Sequence, residues 1–176
     1  MKQDKILAGT PFPTVAVDGL DGSRTEDIGK PSGGAEWNMV VVYRGRHCPL
    51  CTKYLNKLEA YKEPLREIGI NLEAVSGDSK EQLESHLEKL EVSFPLYCGR
   101  TIEQMQQLGL YISYPRSNKE TDHPFAEPGL FVVNAEGNVQ VVDISNNPFV
   151  RPDIEQMYSG LKWIRENDYP IRGTYP

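Results

Sequence analysis

Met39-Val40-Val41-Val42-Tyr43 is a short apolar run without polar interruption, the pattern of a strand buried on both faces. Beyond it, Leu50, Tyr54, Leu58, Tyr61, Leu65 and Ile68 recur at spacings of four and three, which predicts a helix with one apolar face. Pro64 falls inside that pattern and predicts a kink, because proline removes a ladder donor and crowds the preceding turn. Asn71 to Ser76 predicts a second strand. Reached through a helical crossover, it must run parallel to the first. Leu83, Leu87 and Leu90 predict a second helix, with His86 on its solvated face between Glu84 and Glu88. A strand over 94–97, a short helix over 102–108 and an exposed polar loop over 116–122 follow. Leu130 to Val133 and Val139 to Ile144, joined by Asn134-Ala135-Glu136-Gly137, predict a hairpin. Ile154, Met157, Leu161 and Ile164 give a last helix its core face, with Pro152 at the first helical position. Residues up to Trp37 hold short strand candidates, 14–17 among them, between turn signals at Asp18-Gly19, Asp21-Gly22 and Ser32-Gly33-Gly34. The sum is an α/β fold, a mixed central sheet flanked by helices.

Length and composition narrow the picture. A chain of 176 residues with 39% hydrophobic and 25% charged residues suits one soluble domain with a real core. We expect a single unit over 1–176, with an N-terminal hairpin region about 6–37 and a core about 38–167. A net charge of −6 speaks against nucleic-acid binding through a broad basic face. No apolar run nears the roughly 18 residues of a membrane span, and the first residues lack the apolar core of a signal peptide. Three cysteines, an odd number, do not suggest a disulfide scaffold. A close pair in a reducing compartment is more often catalytic or metal-binding, so a cytoplasmic protein is expected.

That pair is Cys48-Pro49-Leu50-Cys51, at the predicted strand-to-helix junction. Thiols three positions apart at a helix start share one face. One thiolate can attack a partner's sulfur while the other resolves the mixed disulfide. The helix N-terminus stabilises a thiolate, and Arg44, Arg46, His47 and Lys53 bring positive charge nearby. Cys48 is expected to be the more exposed nucleophile and Cys51 the buried resolver. An ordinary cysteine with a pKa near 8.5 is only about 3% thiolate at pH 7, and lowering that pKa to ~7 makes it half thiolate.

Two segments carry a resemblance: Val42-Tyr43-Arg44-Gly45-Arg46-His47-Cys48-Pro49-Leu50-Cys51 and Glu127-Pro128-Gly129-Leu130-Phe131-Val132-Val133. With Phe94-Pro95-Leu96 and the N-terminal hairpin region, the chain resembles the peroxiredoxin-like (AhpC/TSA, redoxin) branch of the thioredoxin-fold superfamily. The resemblance implies a thioredoxin-like fold with a peroxiredoxin-type N-terminal extension and insertion. It implies a thiol–disulfide oxidoreductase or a thiol-dependent peroxidase, in which Cys48 is peroxidatic and Cys51 resolving, and no cofactor. The implied partners are a disulfide or peroxide substrate and a thioredoxin-like, glutaredoxin-like or small-thiol reductant. A homodimer is compatible with it; nucleic acid and membrane are not implied. Two departures stand out. Peroxiredoxins place a threonine three residues before the attacking cysteine, where this chain has Gly45. They place an arginine just before the later strand, where this chain has Pro128. Thioredoxin-like exchangers carry a cis-proline at that place, so a cis Glu127–Pro128 bond beside a substrate groove is an expectation of the resemblance. His47 takes the position of the tryptophan before the thioredoxin dithiol, which implies substrate contact or thiolate tuning.

A zinc-stabilised interaction module is the remaining alternative. It needs two more ligands from Cys98, His47, His86 or His123. Cys98, in a predicted strand, reads as a small buried apolar residue, and His123 beside Pro124 as an incidental loop histidine.

Overall fold

A computed structural model of the chain describes residues 4–25 and 28–176. At its centre β3 (Trp37–Val42) lies between β4 (Ile70–Val75), parallel to it, and β8 (Gly129–Val133), antiparallel to it. β5 (Leu96–Cys98) continues the sheet in parallel beyond β4, and β9 (Val139–Ile144) closes the other edge as the hairpin partner of β8. β1 (Val17–Gly19) and β2 (Arg24–Thr25) add an antiparallel hairpin outside β5. The order across the seven strands is β2-β1-β5-β4-β3-β8-β9, and β6 (Ile112–Ser113) pairs with β7 (Phe125–Ala126) apart from it.

The apolar run of β3 is divided by the pleat, since successive side chains alternate faces. Met39, Val41 and Tyr43 enter one core with Cys51, Leu55, Leu58, Leu72, Ala74, Leu130, Val132 and Leu161. Val40 and Val42 enter the other with Val75, Met105, Leu108, Leu110 and Phe131. The first core lies under α1 (Pro49–Glu59), α2 (Lys62–Glu67), α3 (Lys80–His86) and α5 (Ile154–Asn167); α4 (Ile102–Gln107) covers the second. Both faces are thus sealed, and the carboxyl ends of β3 and β4 are where loops are free to build a site.

The expected mixed α/β sheet is present, with local differences. Instead of a kink at Pro64, the first helix ends at Ala60 and a new one begins at Lys62. Pro64 then sits in the first turn of α2, where its missing N–H has no partner to lose. The first strand runs 17–19 rather than 14–17. Asp153, not Pro152, starts the last helix: its carboxylate caps Gln156 N at 2.9 Å. His86 is 1% exposed, not solvated. α3 packs Gln82, Leu83 and His86 inward and stops there, so the inward face is 82–83–86, and Leu87 turns out, 39% exposed. In the 116–122 loop, Thr121 is buried and Glu120 turns inward to Arg44. No helix among the described residues is long and apolar enough to cross a membrane.

Candidate active site

After β3 the chain makes one more sheet contact, Tyr43 N–H to Val75 O at 3.2 Å, and then turns through 44–47. The turn closes with Cys48 N–H donating to Gly45 O at 3.2 Å. Cys48 is the N-cap of α1, extended at φ −108°, and its sulfur accepts the Cys51 N–H at 3.3 Å. Pro49 follows, preset for a first helical position, and the first turn holds no acidic residue. Cys51 is therefore one turn inside, facing the core. Both thiols are free, and both are buried: Cys48 is 2% exposed and Cys51 0%. The expected exposure of Cys48 is not found, because the Arg44 guanidinium lies against it, Nη1 4.0 Å from the sulfur.

Gly45 has φ 145°, and a Cβ there would stand 2.6 Å from Asp78 Oδ1. A threonine here would be strained, both by that φ and by the Asp78 carboxylate, which fills the space a Cβ would take. That carboxylate accepts the Arg46 N–H at 2.8 Å and pairs with His123 Nε2 at 3.1 Å. It raises the His123 pKa by that hydrogen bond. His123 thus pins the 121–124 loop to the site floor and is not incidental. Arg46 contributes its backbone here, with its side chain exposed.

The two thiols are electrostatically unlike. The Cys48 pKa falls to about 6, first through a hydrogen bond from the Cys51 thiol, then through the Cys51 N–H and Arg44, all against burial. The Cys51 pKa rises, through burial and through that same bond and the charge on Cys48. Cys48 is thus the thiol that ionises first. Opposing the Cys51 rise is a residue that the sequence did not flag: Arg151 Nη2 donates to Cys51 Sγ at 3.0 Å. Arg151 is fixed by Nε–H to Pro148 O at 2.9 Å and by stacking 5.0 Å over the Tyr54 ring. Tyr54 in turn donates to Pro152 O at 2.8 Å, tying α1 to the loop that carries Arg151.

The other expected residues are placed as follows. Arg44 pairs with Glu127 at 3.3 Å and Glu120 at 3.7 Å and covers the Phe125 ring at 4.6 Å. His47 stacks on Phe125, centroids 4.5 Å apart, and neither ring nitrogen has a partner. Burial, then Arg44, lowers its pKa, so His47 is neutral at pH 7 and brings no charge to the thiolate. Pro128 is buried and lines a small recess with Tyr54, Gly129 and Arg151. Its peptide bond is trans, which corrects the expected cis geometry; its carbonyl accepts the Ser145 N–H at 3.0 Å, just beyond the open end of the β8–β9 hairpin. His86 accepts or donates at 2.7 Å with Thr52 Oγ1. Cys98 is buried, its thiol donating to Asp18 O at 3.6 Å, with its pKa pushed up to about 11 by burial. Among the described residues no group of three or more His, Cys, Asp or Glu side chains is placed to hold a metal ion.

A buried dithiol at a helix start, on a sheet of this order and with a hairpin ahead of it, invites comparison with known proteins. The AhpC/TSA family model matches residues 8–142. The chain belongs to the AhpC/TSA family. No curated protein sequence matches it. Among solved structures, it is similar to a peroxiredoxin-like protein from Aquifex aeolicus, at 16% identity and TM-score 0.71, covering 92% of this chain and 89% of that one. It is also similar to a Cys-to-Ser variant of peroxiredoxin 6 from Arenicola marina, at 16% identity and TM-score 0.74, covering 93% and 76%. Peroxidoxin BcpB from Mycobacterium tuberculosis matches at 14% identity and TM-score 0.71, covering 90% and 98%. At these identities the structures speak for the fold, a peroxiredoxin-type thioredoxin fold.

Proposed function

We propose that this AhpC/TSA-family protein is a thiol–disulfide oxidoreductase whose Cys48–Cys51 pair cycles between dithiol and disulfide. The observation that carries this reading is geometric: Cys48 caps α1 with its sulfur on the Cys51 N–H at 3.3 Å, and each sulfur has a guanidinium beside it, Arg44 at 4.0 Å and Arg151 at 3.0 Å; the pair is tuned in opposite directions, Cys48 lowered to about 6 and Cys51 raised. At pH 7 a pKa of about 6 leaves about nine-tenths of Cys48 as thiolate. Cys48 attacks one sulfur of a substrate disulfide, and the other sulfur leaves as a thiolate. Cys51, its proton lost, then attacks Cys48 Sγ, closing the intramolecular disulfide and releasing the second substrate thiol. Arg44 and Arg151 stabilise the charge on Cys48 and Cys51 respectively.

Peroxidase chemistry is the second reading, favoured by family membership and by a thiolate flanked by a guanidinium. There Cys48 takes an oxygen from a hydroperoxide to become a sulfenic acid, an alcohol or water leaves, and Cys51 condenses with it to the disulfide and water. Gly45 offers no hydroxyl to orient a peroxide, which is why exchange is placed first. The test is to compare hydroperoxide consumption and disulfide reduction by the reduced protein, using Cys48→Ser and Cys51→Ser. Exchange predicts that Cys51→Ser accumulates mixed disulfides at Cys48. Sulfenic acid trapped at Cys48 and turnover of peroxide alone would move the peroxidase to first place; inertness of the wild type to both substrates would overturn both.

A further inference from the structure

β9 is the last strand of the sheet, and its outer edge is paired only at its start. There Gly9 N–H donates to Val139 O at 2.8 Å and Val139 N–H donates to Thr10 O at 2.9 Å; among the described residues no other backbone bond reaches that edge. Beyond Val139 runs an open groove of about 730 Å³, lined by Gln140, Val141, Val142 and Ile144. Successive side chains of a strand point to opposite faces, so a cavity touching consecutive positions lies along the edge of β9 and not over a face. Its other apolar contacts agree: Ile164 packs on the core under α1, and Ile6 on the core under α4. The two chain termini build the walls, residues 5–8 on one side and 169–173 on the other. Lys5 stands at the Ile144 end: its Cα is 3.2 Å from where a Gly109 Cβ would be, Leu110 lies against Gly129, and Gly129 is the register partner of Ile144. Arg172 stands toward the Val139 end, where the tail meets Gly9 through Ile171 and Thr174. Among the described residues these two cations are the only charged groups lining the groove, in a chain of net charge −6.

We propose that this edge docks an extended segment of a partner protein, apolar in its middle and bearing a carboxylate side chain at each end. The segment adds a strand to β9, and its backbone pairs with the outer groups of residues 140–144, roughly 16 Å of ladder. Its side chains alternate onto Val142 and Ile144 on one face and Val141 and Ile164 on the other, and its carboxylates reach Lys5 and Arg172. An unpaired strand edge is a template for pairing, and the two cations select what pairs. A second copy on a two-fold axis would lay its edge antiparallel to this one and bring Lys5 against Arg172; an acidic segment turns that repulsion into attraction. β9 runs parallel to β3, so the Ile144 end of a docked segment lies at the end of the sheet that carries the dithiol. The docking itself is independent of the redox reading.

The probe is the peptide Glu-Val-Thr-Val-Thr-Val-Glu with blocked ends, titrated into the full chain by calorimetry. It is compared with the same peptide carrying Lys at both ends, and with two N-methylated versions, one blocked at the Val amides and one at the Thr amides. At low salt the Glu peptide should bind the wild type saturably, with a Kd below about 1 mM, and about tenfold or more tighter than the Lys peptide, the effect of two exposed ion pairs. The preference should invert in Lys5→Glu/Arg172→Glu, and should vanish in the wild type at 1 M salt, where the screening length is only about 3 Å. Only one set of amides faces β9 in an added strand, so one N-methylated peptide should fail while the other binds. No saturable binding of the Glu peptide, a preference that survives charge reversal or 1 M salt, or equal binding of the two N-methylated peptides overturns the proposal. A wild-type dimer in light scattering, with the β9 amides protected from hydrogen exchange, would put a second copy on the edge and overturn it as well.

Discussion

The Cys51 thiol is the largest single cause of the low Cys48 pKa, so removing it is a direct test of the electrostatic account. Cys51→Ala deletes one hydrogen bond to a charged sulfur, a contact of about 1.5–3 kcal/mol. It leaves the backbone N–H at 3.3 Å and Arg44 Nη1 at 4.0 Å in place. At 1.36 kcal/mol per pKa unit, the Cys48 midpoint should rise by about 1–2 units, from about 6 to about 7–8. The thiolate fraction at pH 6 then falls from about half to about a tenth or less. The assay is the pH dependence of the 240 nm thiolate absorbance, checked by the rate of iodoacetamide alkylation. Cys98, buried and shifted to about 11, stays silent in this range. A midpoint that remains within about half a unit of the wild type would refute the reasoning. Arg44 and the helix N-terminus would then set the pKa alone.

Arg151→Met removes the donor 3.0 Å from Cys51 Sγ; rapid-quench experiments should show resolution of the mixed disulfide slowed by about tenfold, the effect of a charged hydrogen bond of about 1.5 kcal/mol, and an unchanged rate would remove Arg151 from the mechanism. Gly45→Ala places a Cβ 2.6 Å from the Asp78 carboxylate at φ 145°, so urea denaturation should show a loss of about 3 kcal/mol or more; a loss under about 1 kcal/mol would mean the loop relaxes freely. Glu73 is raised to about 7 by burial, so its protonated form is favoured by folding: that contribution is full below the unfolded value of 4.5 and is lost as pH rises through 7. Glu73→Gln should therefore flatten the stability profile between pH 4.5 and 7, where the wild type loses up to about 3 kcal/mol from this group; parallel profiles for the two proteins would show that Glu73 does not titrate there.

Where the sequence spoke clearly, it did so through periodicity. β3, β4, β8, β9 and the helix after the dithiol each carry an uninterrupted or evenly spaced apolar pattern, and burial on one face or both enforces it. The junction bearing Cys48 and Cys51 was legible for the same reason. Arg151 was not. It reaches Cys51 from 100 residues downstream, out of an irregular loop with no pattern, and only the closing of β9 against β8 brings it there. Its Pro148 and Tyr54 anchors could not be paired without coordinates. His86 was misjudged because leucine spacing alone overlooked where α3 ends. His123 and Asp78 meet across 45 residues, a contact that local pattern does not encode. The cis bond expected at Pro128 came from analogy to other dithiol proteins alone, and the bond is trans.

The opposed tuning has a consequence for the order of events. Lowering the Cys48 pKa does little for its attack: thiolate at pH 7 rises about 30-fold over an ordinary cysteine, but nucleophilicity falls about tenfold or more with the lost basicity. The advantage is in departure, since a low-pKa sulfur leaves readily. Cys51 must do the reverse, remaining protonated until it is wanted. Two of the three causes raising its pKa come from Cys48, the hydrogen bond to that sulfur and its negative charge. Once Cys48 is bonded to a substrate sulfur, that charge is gone and the bond is weakened, so burial alone opposes ionisation while Arg151 still favours it. Cys51 is therefore released to attack when a mixed disulfide exists and is held back when none does. The timing is built into the pair, and Arg151 is the fixed charge against which it works.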